Sequence, residues 1–183
     1  MPSPNDGDPI TLYAGRHLTL RERDGWEYVS RVTGRPAVGV VAVTDGHEVV
    51  LVEQPRPPVG RSVVELPAGL AGDTAGAEDE PLLAAAQREL LEETGYTASR
   101  WTELVIGYST PGLTDEAIQL YLAEGLTREG PGGGHGGEQI TVHHVPLAHV
   151  IPWLQQRDAA ADLKLFAGLY AAGAALTAGQ RAS

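Results

Sequence analysis

Three of the four glutamates in one short stretch hold the clearest chemical potential of this chain. The stretch spans residues 80–96 and reads Glu-Pro-Leu-Leu-Ala-Ala-Ala-Gln-Arg-Glu-Leu-Leu-Glu-Glu-Thr-Gly-Tyr. Wound as a helix at about 100° per residue, it sets Leu83, Ala86, Leu90, Leu91 and Thr94 on an apolar arc, with Glu89, Glu92 and Glu93 on the arc beside it. Glu89 and Glu93 stand one turn apart, and such a like-charged pair costs an isolated helix about 0.2–0.5 kcal/mol. They also lie at the C-terminal end, where the helix dipole disfavours anions. A divalent cation would cancel both penalties, and hard carboxylate oxygens suit Mg2+ or Mn2+. Pro81 suits a first helical turn, and Gly95 the position just past the last.

That helix needs a scaffold, and the rest of the chain reads as strands. Residues 10–13 and 17–23 form short strands, with Asp24-Gly25 as a hairpin turn before Trp26-Glu-Tyr-Val-Ser-Arg31. Period two puts Trp26 and Tyr28 on one sheet face, either as packing or as a platform on which a base stacks. This segment is too small to fold alone, so it docks on its own chain or pairs with a second subunit. Residues 37–44 alternate in character, turn at Asp45-Gly46 and return over 48–53, which is a strong hairpin signal. Gln54-Pro55-Arg56-Pro57-Pro58 then breaks the strand pattern and leaves Arg56 where its guanidinium can fork onto a phosphate or carboxylate.

A strand over 63–66 runs into Pro67-Ala68-Gly69 and the acidic helix. Beyond it, strands over 101–108 and 118–124 flank the loop Ser109-Thr-Pro-Gly-Leu-Thr-Asp-Glu116. The glycine-rich run 128–137 reads as a flexible loop; it lacks the lysine and Ser/Thr spacing of a phosphate cradle. A last strand covers 139–144, with Glu138 at its mouth, and helices cover 147–156 and 162–178. The second of these is rich in Ala and Leu and packs on the sheet. Helices do not regularly separate the strands, so the fold class is an α+β sandwich rather than a doubly wound sheet.

Composition narrows the partners. The 183 residues suffice for one domain with a small appendage, and a hydrophobic share of 42% suffices for a packed core. Thirteen basic against 24 acidic residues give a net charge of −11, which argues against a nucleic-acid polymer as partner. A small anionic nucleotide fits if metal ions and local arginines supply the positive charge. The chain has no cysteine, which removes thiolate sites and disulfides and fits the reducing cytoplasm. No apolar run approaches a membrane span. Residues 1–9 read as a disordered tail, 10–36 as an N-terminal β segment and 37–183 as the main domain. His143 and His144 face opposite ways and the remaining histidines are scattered, so no zinc site is expected.

The spelling of the acidic stretch resembles the signature of the Nudix hydrolases: a glycine, five residues, Glu, seven residues, then Arg-Glu-apolar-any-Glu-Glu-any-Gly-apolar. Glu80 and Arg88-Glu-Leu-Leu-Glu-Glu-Thr-Gly-Tyr96 match every element from the first Glu onward. Thr74 stands where the glycine would be; Gly69 is its equivalent if the loop 70–79 carries five extra residues, an inexpensive insertion. Outside the signature, Trp26-Glu-Tyr-Val-Ser-Arg31, Leu51-Val-Glu-Gln-Pro-Arg56, Glu65-Leu-Pro-Ala-Gly69 and Pro111, about fifteen residues past the signature, are similar to the ADP-ribose pyrophosphatase branch.

The resemblance implies a Nudix α/β/α sandwich of mixed sheets around the catalytic helix, preceded by the small β segment. It implies hydrolysis of ADP-ribose to AMP and ribose 5-phosphate with Mg2+ (or Mn2+), in a homodimer whose N-terminal segment is swapped between subunits. Glu89 and Glu93 are the implied metal ligands, joined by the Ala68 carbonyl, with Glu92 as a ligand or a supporting catalytic group. Arg88 orients the glutamates, and Glu80 supports them or the metal. Glu116 positions or deprotonates the attacking water, on a loop suited to moving in over substrate. Trp26, Tyr28, Arg56, Glu65 and Pro111 are the implied substrate contacts. Two rivals remain: a pyrophosphatase for another nucleoside diphosphate sugar, and a non-catalytic module that binds ADP-ribose.

Overall fold

The computed structural model describes residues 7–73, 76–134, 137 and 139–182. The expectations for residues 1–6, Thr74, His135 and Glu138 lie outside the described residues. Three antiparallel strands open the chain: β1 (Ile10–Ala14), β2 (Leu18–Arg23) and β3 (Trp26–Arg31). Asp24 and Gly25 both have positive φ, 53° and 78°, the backbone that a tight two-residue hairpin demands.

The larger sheet is built around β4 (Ala37–Val43). It runs parallel to β9 (Ala117–Arg128) on one edge, and β9 pairs with the 13-residue β8 (Tyr96–Tyr108). Its other edge is shared. The hairpin to β5 (Glu48–Arg56) is paired only at Ala42↔Val50 and Val43↔Val49. Beyond that point β5 leaves to pair with β6 (Arg61–Glu65), and the short β7 (Ala68–Leu70) takes its place along Ala37–Gly39. This exchange of partners opens the sheet and threads Ala68 and Gly69 into the gap. β5 does not stop at Gln54 as expected: Pro55 and Arg56 stay in register with Ser62 and Arg61. Pro55 is tolerated because β10 (Thr141–Pro146), the strand on that edge of β5, ends its pairing at Glu53, so no ladder bond needs the missing N–H.

Helices cover both faces. On β4 the alternation sends Val38, Val40 and Ala42 into a core with Leu90 and Ala86 of α1 (Leu82–Thr94), and Val41 and Val43 into a core with Leu165 and Ala172 of α3 (Leu163–Ala182). A 3-10 turn at Leu147–His149 and α2 (Val150–Gln155) close the α3 side. β11 (Ala160–Ala161), a strand that the sequence pattern does not announce, adds a parallel edge to β6. The result is the mixed-sheet α/β/α sandwich with a small N-terminal sheet. Among the described residues, no helix is long and apolar enough to cross a membrane.

Candidate active site

α1 is rotated from its sequence-based orientation. Leu83 and Leu91, expected inward, are exposed, and the buried face consists of Ala85, Ala86, Glu89, Leu90, Glu93 and Thr94. The inward arc has turned by about 60°, so that Glu89 and Glu93 lie at its centre rather than at its flank. They are 7% and 5% exposed. Burial pushes the Glu89 carboxyl up to about 7, against the pull of Arg88.

Local features make this burial tolerable. The backbone N–H of Ala68 donates to Glu93 at 2.9 Å. Arg88 donates to Glu89 at 2.8 Å, to Glu92 at 3.2 Å and, through two nitrogens, to Glu80 at 3.0 Å. It also reaches the Leu70 carbonyl and Asp73, at 3.1 and 3.2 Å. Hydrogen bonding to Arg88 holds Glu80 below the usual carboxylate range. The guanidinium thus organises the acidic cluster. Gly69 leaves room for it, since a Cβ there would stand 2.0 Å from Glu89 Oε1.

The glycine-rich loop also has an ordered task. Gly133 and Gly134 donate backbone N–H groups to the carbonyls of Glu93 and Glu92, at 2.8 and 3.0 Å. Glu129 donates to Gly95 at 2.8 Å. A Cβ on Gly132 would meet the Thr94 backbone at 2.4 Å. The loop, expected to be merely flexible, caps the carbonyl end of α1 with the donors that a helix C-terminus lacks.

Glu89 and Glu93 open into a cleft of about 310 Å³ that Ala68, Arg56 and Glu116 also line. Arg31, Gln54, Asp73 and Lys164 join them there, although motif reading singled out none of the four. Lys164 offered one signal, being the only lysine in the chain. Glu65 and Glu92, both expected at the site, do not line this cleft. Glu65 is 2% exposed and sits behind the cleft, where it receives Arg56 through two nitrogens and Lys164 Nζ at 2.8 Å. Burial alone would raise its carboxyl, but these two cations outweigh that and hold it below the usual range. Glu92 stays with Arg88 on the flank and is not part of the cleft wall.

Among the described residues, no three carboxylates or imidazoles converge on a single point. Glu89 turns to Arg88, and Glu93 to the Ala68 amide. Glu89 and Glu93 nonetheless bring two buried carboxylates to the cleft wall beside the Ala68–Gly69 backbone, a set of hard oxygen donors. It fits a hard divalent cation.

A second cleft, of about 290 Å³, is lined by Trp26, Tyr28, Tyr108, Pro111 and their neighbours, and shares Tyr108 with a hollow between β8 and α3. Trp26 is 63% exposed and offers its ring, while its indole N–H donates to the Gly112 carbonyl at 3.2 Å. This bond is one of four that strap β3 to the loop 109–116 of the same chain. Val29 N–H donates to the Leu113 carbonyl at 2.9 Å, Ser30 Oγ to Asp115 at 2.6 Å, and Arg31 pairs with Glu116. The loop expected to swing over substrate is therefore held by the N-terminal sheet.

Residues 33–169 match the NUDIX domain, and the chain belongs to that family. Its relatives include three ADP-ribose pyrophosphatases, two of them bacterial. The ADP-ribose pyrophosphatase of Bacillus subtilis (strain 168) is 45% identical over 91 residues, covering 50% of this chain and 46% of that protein. The ADP-ribose pyrophosphatase of Mycobacterium tuberculosis is 39% identical over 145 residues, covering 75% and 68%. The methanol dehydrogenase activator of Bacillus methanolicus is 34% identical over 153 residues and covered to 80% on both sides. The crystal structure of an ADP compounds hydrolase superposes with a TM-score of 0.74 over 95% of this chain and 94% of its own, at 23% identity.

Proposed function

We propose that this protein hydrolyses the pyrophosphate bond of ADP-ribose to AMP and ribose 5-phosphate, with Mg2+ or Mn2+ as its ion. The observation that carries the reading is the pair of buried glutamates, one helical turn apart, opening into a cleft that Arg31, Arg56 and Lys164 also line. The ADP-ribose pyrophosphatases of B. subtilis and M. tuberculosis support it, as does the retention of Glu80, Arg88, Glu89, Glu92 and Glu93.

The aromatic cleft takes the adenine, stacked on Trp26 or Tyr28 beside Pro111, and the pyrophosphate lies over Glu89 and Glu93. Glu89, Glu93 and the Ala68 carbonyl would hold the metal, while Arg88 keeps the carboxylates in place through its bonds to Glu89, Glu92 and Glu80. A divalent cation bound there would neutralise the phosphate oxygens and lower the pKa of a bound water. Glu116 receives the proton as the water oxygen bonds to phosphorus and the bridging P–O bond breaks. The bond's electron pair stays on the departing phosphate oxygen, whose negative charge Arg31 and Arg56 stabilise.

The N-terminal sheet leaves Ile10, Leu12, Tyr13 and Leu18 exposed. A homodimer that covers these residues completes the proposal. Light scattering that finds a monomer at micromolar concentration would remove this part.

The reaction is tested with a panel of ADP-ribose, ADP-mannose, GDP-mannose, NADH and diadenosine polyphosphates in the presence of Mg2+, run beside Glu93→Gln. Preference for ADP-ribose, with AMP as product and loss in the variant, is the expected result. Preference for another compound would keep the chemistry and replace the substrate. Tight ADP-ribose binding without turnover would make the protein a sensor.

A further inference from the structure

Lys164 has no assigned role, yet it stands in the cleft wall. The other twelve of the chain's thirteen basic residues are arginines. Lys164 lies in the first turn of α3, where its backbone N–H donates to Asp162 at 2.8 Å, and its ammonium bonds Asp162 and Glu65. An ammonium group has three hydrogens. Two have these partners, which leaves one for an acceptor in the cleft. Arg56 is held in the same manner: its Nε and Nη2 take the two oxygens of Glu65, and Nη1 remains. One buried carboxylate therefore fixes two cations side by side, each with donor capacity to spare.

Their placement has a direction. Arg31 comes from β3 and pairs with Glu116 at the cleft. Arg56 and Lys164 come from β5 and α3. Lys164 also lines a hollow of about 540 Å³ between β8 and α3, which shares Glu116 and Ile118 with the cleft. A molecule with adenine against Trp26 and its pyrophosphate over Glu89 and Glu93 has its other half left to place, and that hollow has room for a sugar.

We propose that Lys164, paired with Arg56 on Glu65, grips the phosphate of the non-adenosine half of the substrate, with the attached sugar in the β8–α3 hollow. The inference rests on the nucleotide-sugar reading above. It makes Lys164 a substrate-binding residue that selects for a sugar phosphate. The competing account is an ion pair that merely staples α3 to β6.

The experiment compares Lys164→Met and Lys164→Arg with the wild type in the full chain. It measures kcat and KM for ADP-ribose, calorimetric affinities for ribose 5-phosphate and AMP, and thermal stability. Losing one charge-assisted hydrogen bond predicts about a tenfold rise in KM for Lys164→Met and a similar loss of ribose 5-phosphate affinity. AMP affinity stays within about twofold of wild type, and Lys164→Arg recovers most of the loss.

Because the chain has a single lysine, pyridoxal 5′-phosphate followed by borohydride reports on Lys164 by peptide mapping, apart from the chain's amino terminus. Ribose 5-phosphate protects Lys164 from labelling and AMP does not. Lowered stability with both product affinities unchanged would reduce Lys164 to a staple and overturn the proposal, as would protection by AMP alone. A wild type that makes AMP from ADP-ribose while Lys164→Met behaves identically would sink this inference only. A wild type inert toward every nucleotide sugar would sink the underlying reading with it.

Discussion

α1 and α3 flank the same sheet, each settled over a glycine, yet they bury opposite chemistry. Under α3 the contact is apolar. A Cβ on Gly168 would meet Leu66 and Val41 at 2.7 and 2.9 Å, and Leu165 and Ala172 fill the interface. Under α1 the missing Cβ belongs to the strand residue Gly69, and what occupies the space is the carboxylate of Glu89. One helix is packed to hold the fold. The other spends the centre of its inward face on two repelling acids, a choice that packing alone does not reward. The difference between them locates the site.

The comparison can be broken at several points. Glu93→Gln has the largest expected effect on turnover, a fall of roughly a hundred- to a thousandfold as a charge-stabilising group is lost. The melting temperature should hold or rise as the repulsion is relieved; a fall in both would make Glu93 structural. Gly69→Ala displaces the end of a flexible carboxylate rather than backbone, so a loss of about tenfold or more in kcat is expected with little loss of stability. Gly168→Ala is its opposite. Overpacking against Leu66 and Val41 costs about 1–3 kcal/mol in denaturant unfolding, with kcat per folded molecule unchanged. Trp26→Ala removes an exposed ring, and the loss of base stacking is worth about 1–3 kcal/mol, read as a rise in KM with only a small fall in melting temperature from the lost bond to Gly112. Smallest is Leu91→Lys, expected within about 0.5 kcal/mol of wild type because the side chain faces solvent. A large destabilisation there would restore the orientation drawn from hydrophobic spacing.

Much of this was legible in the residues, and the remainder has physical reasons for being hidden. Hairpin turns at Asp24-Gly25 and Asp45-Gly46, the helix ending at Gly95 and the sandwich class follow from local rules that the structure obeys. Arg56, Ala68, Glu89, Glu93 and Glu116 do gather in one cleft. The orientation of α1 was misread because counting apolar residues cannot see that a functional helix turns its acids inward. Lys164 escaped notice because its partner Glu65 lies 99 residues away, and only the fold joins them. Glu65, a substrate contact by family resemblance, is buried behind the cleft wall, where it holds Arg56 and Lys164. The capping task of the glycine-rich loop depends on where α1 ends in space, which local composition does not encode.

The central claim is that Glu89 and Glu93 hold a divalent cation in this cleft. Calorimetric titration of Mn2+ into the wild-type protein and into Glu93→Gln, both checked for an unchanged circular dichroism spectrum, tests it without reference to any substrate. The account predicts saturable binding to the wild type and at least a tenfold weaker affinity in the variant. Equal affinity in the two proteins would contradict it.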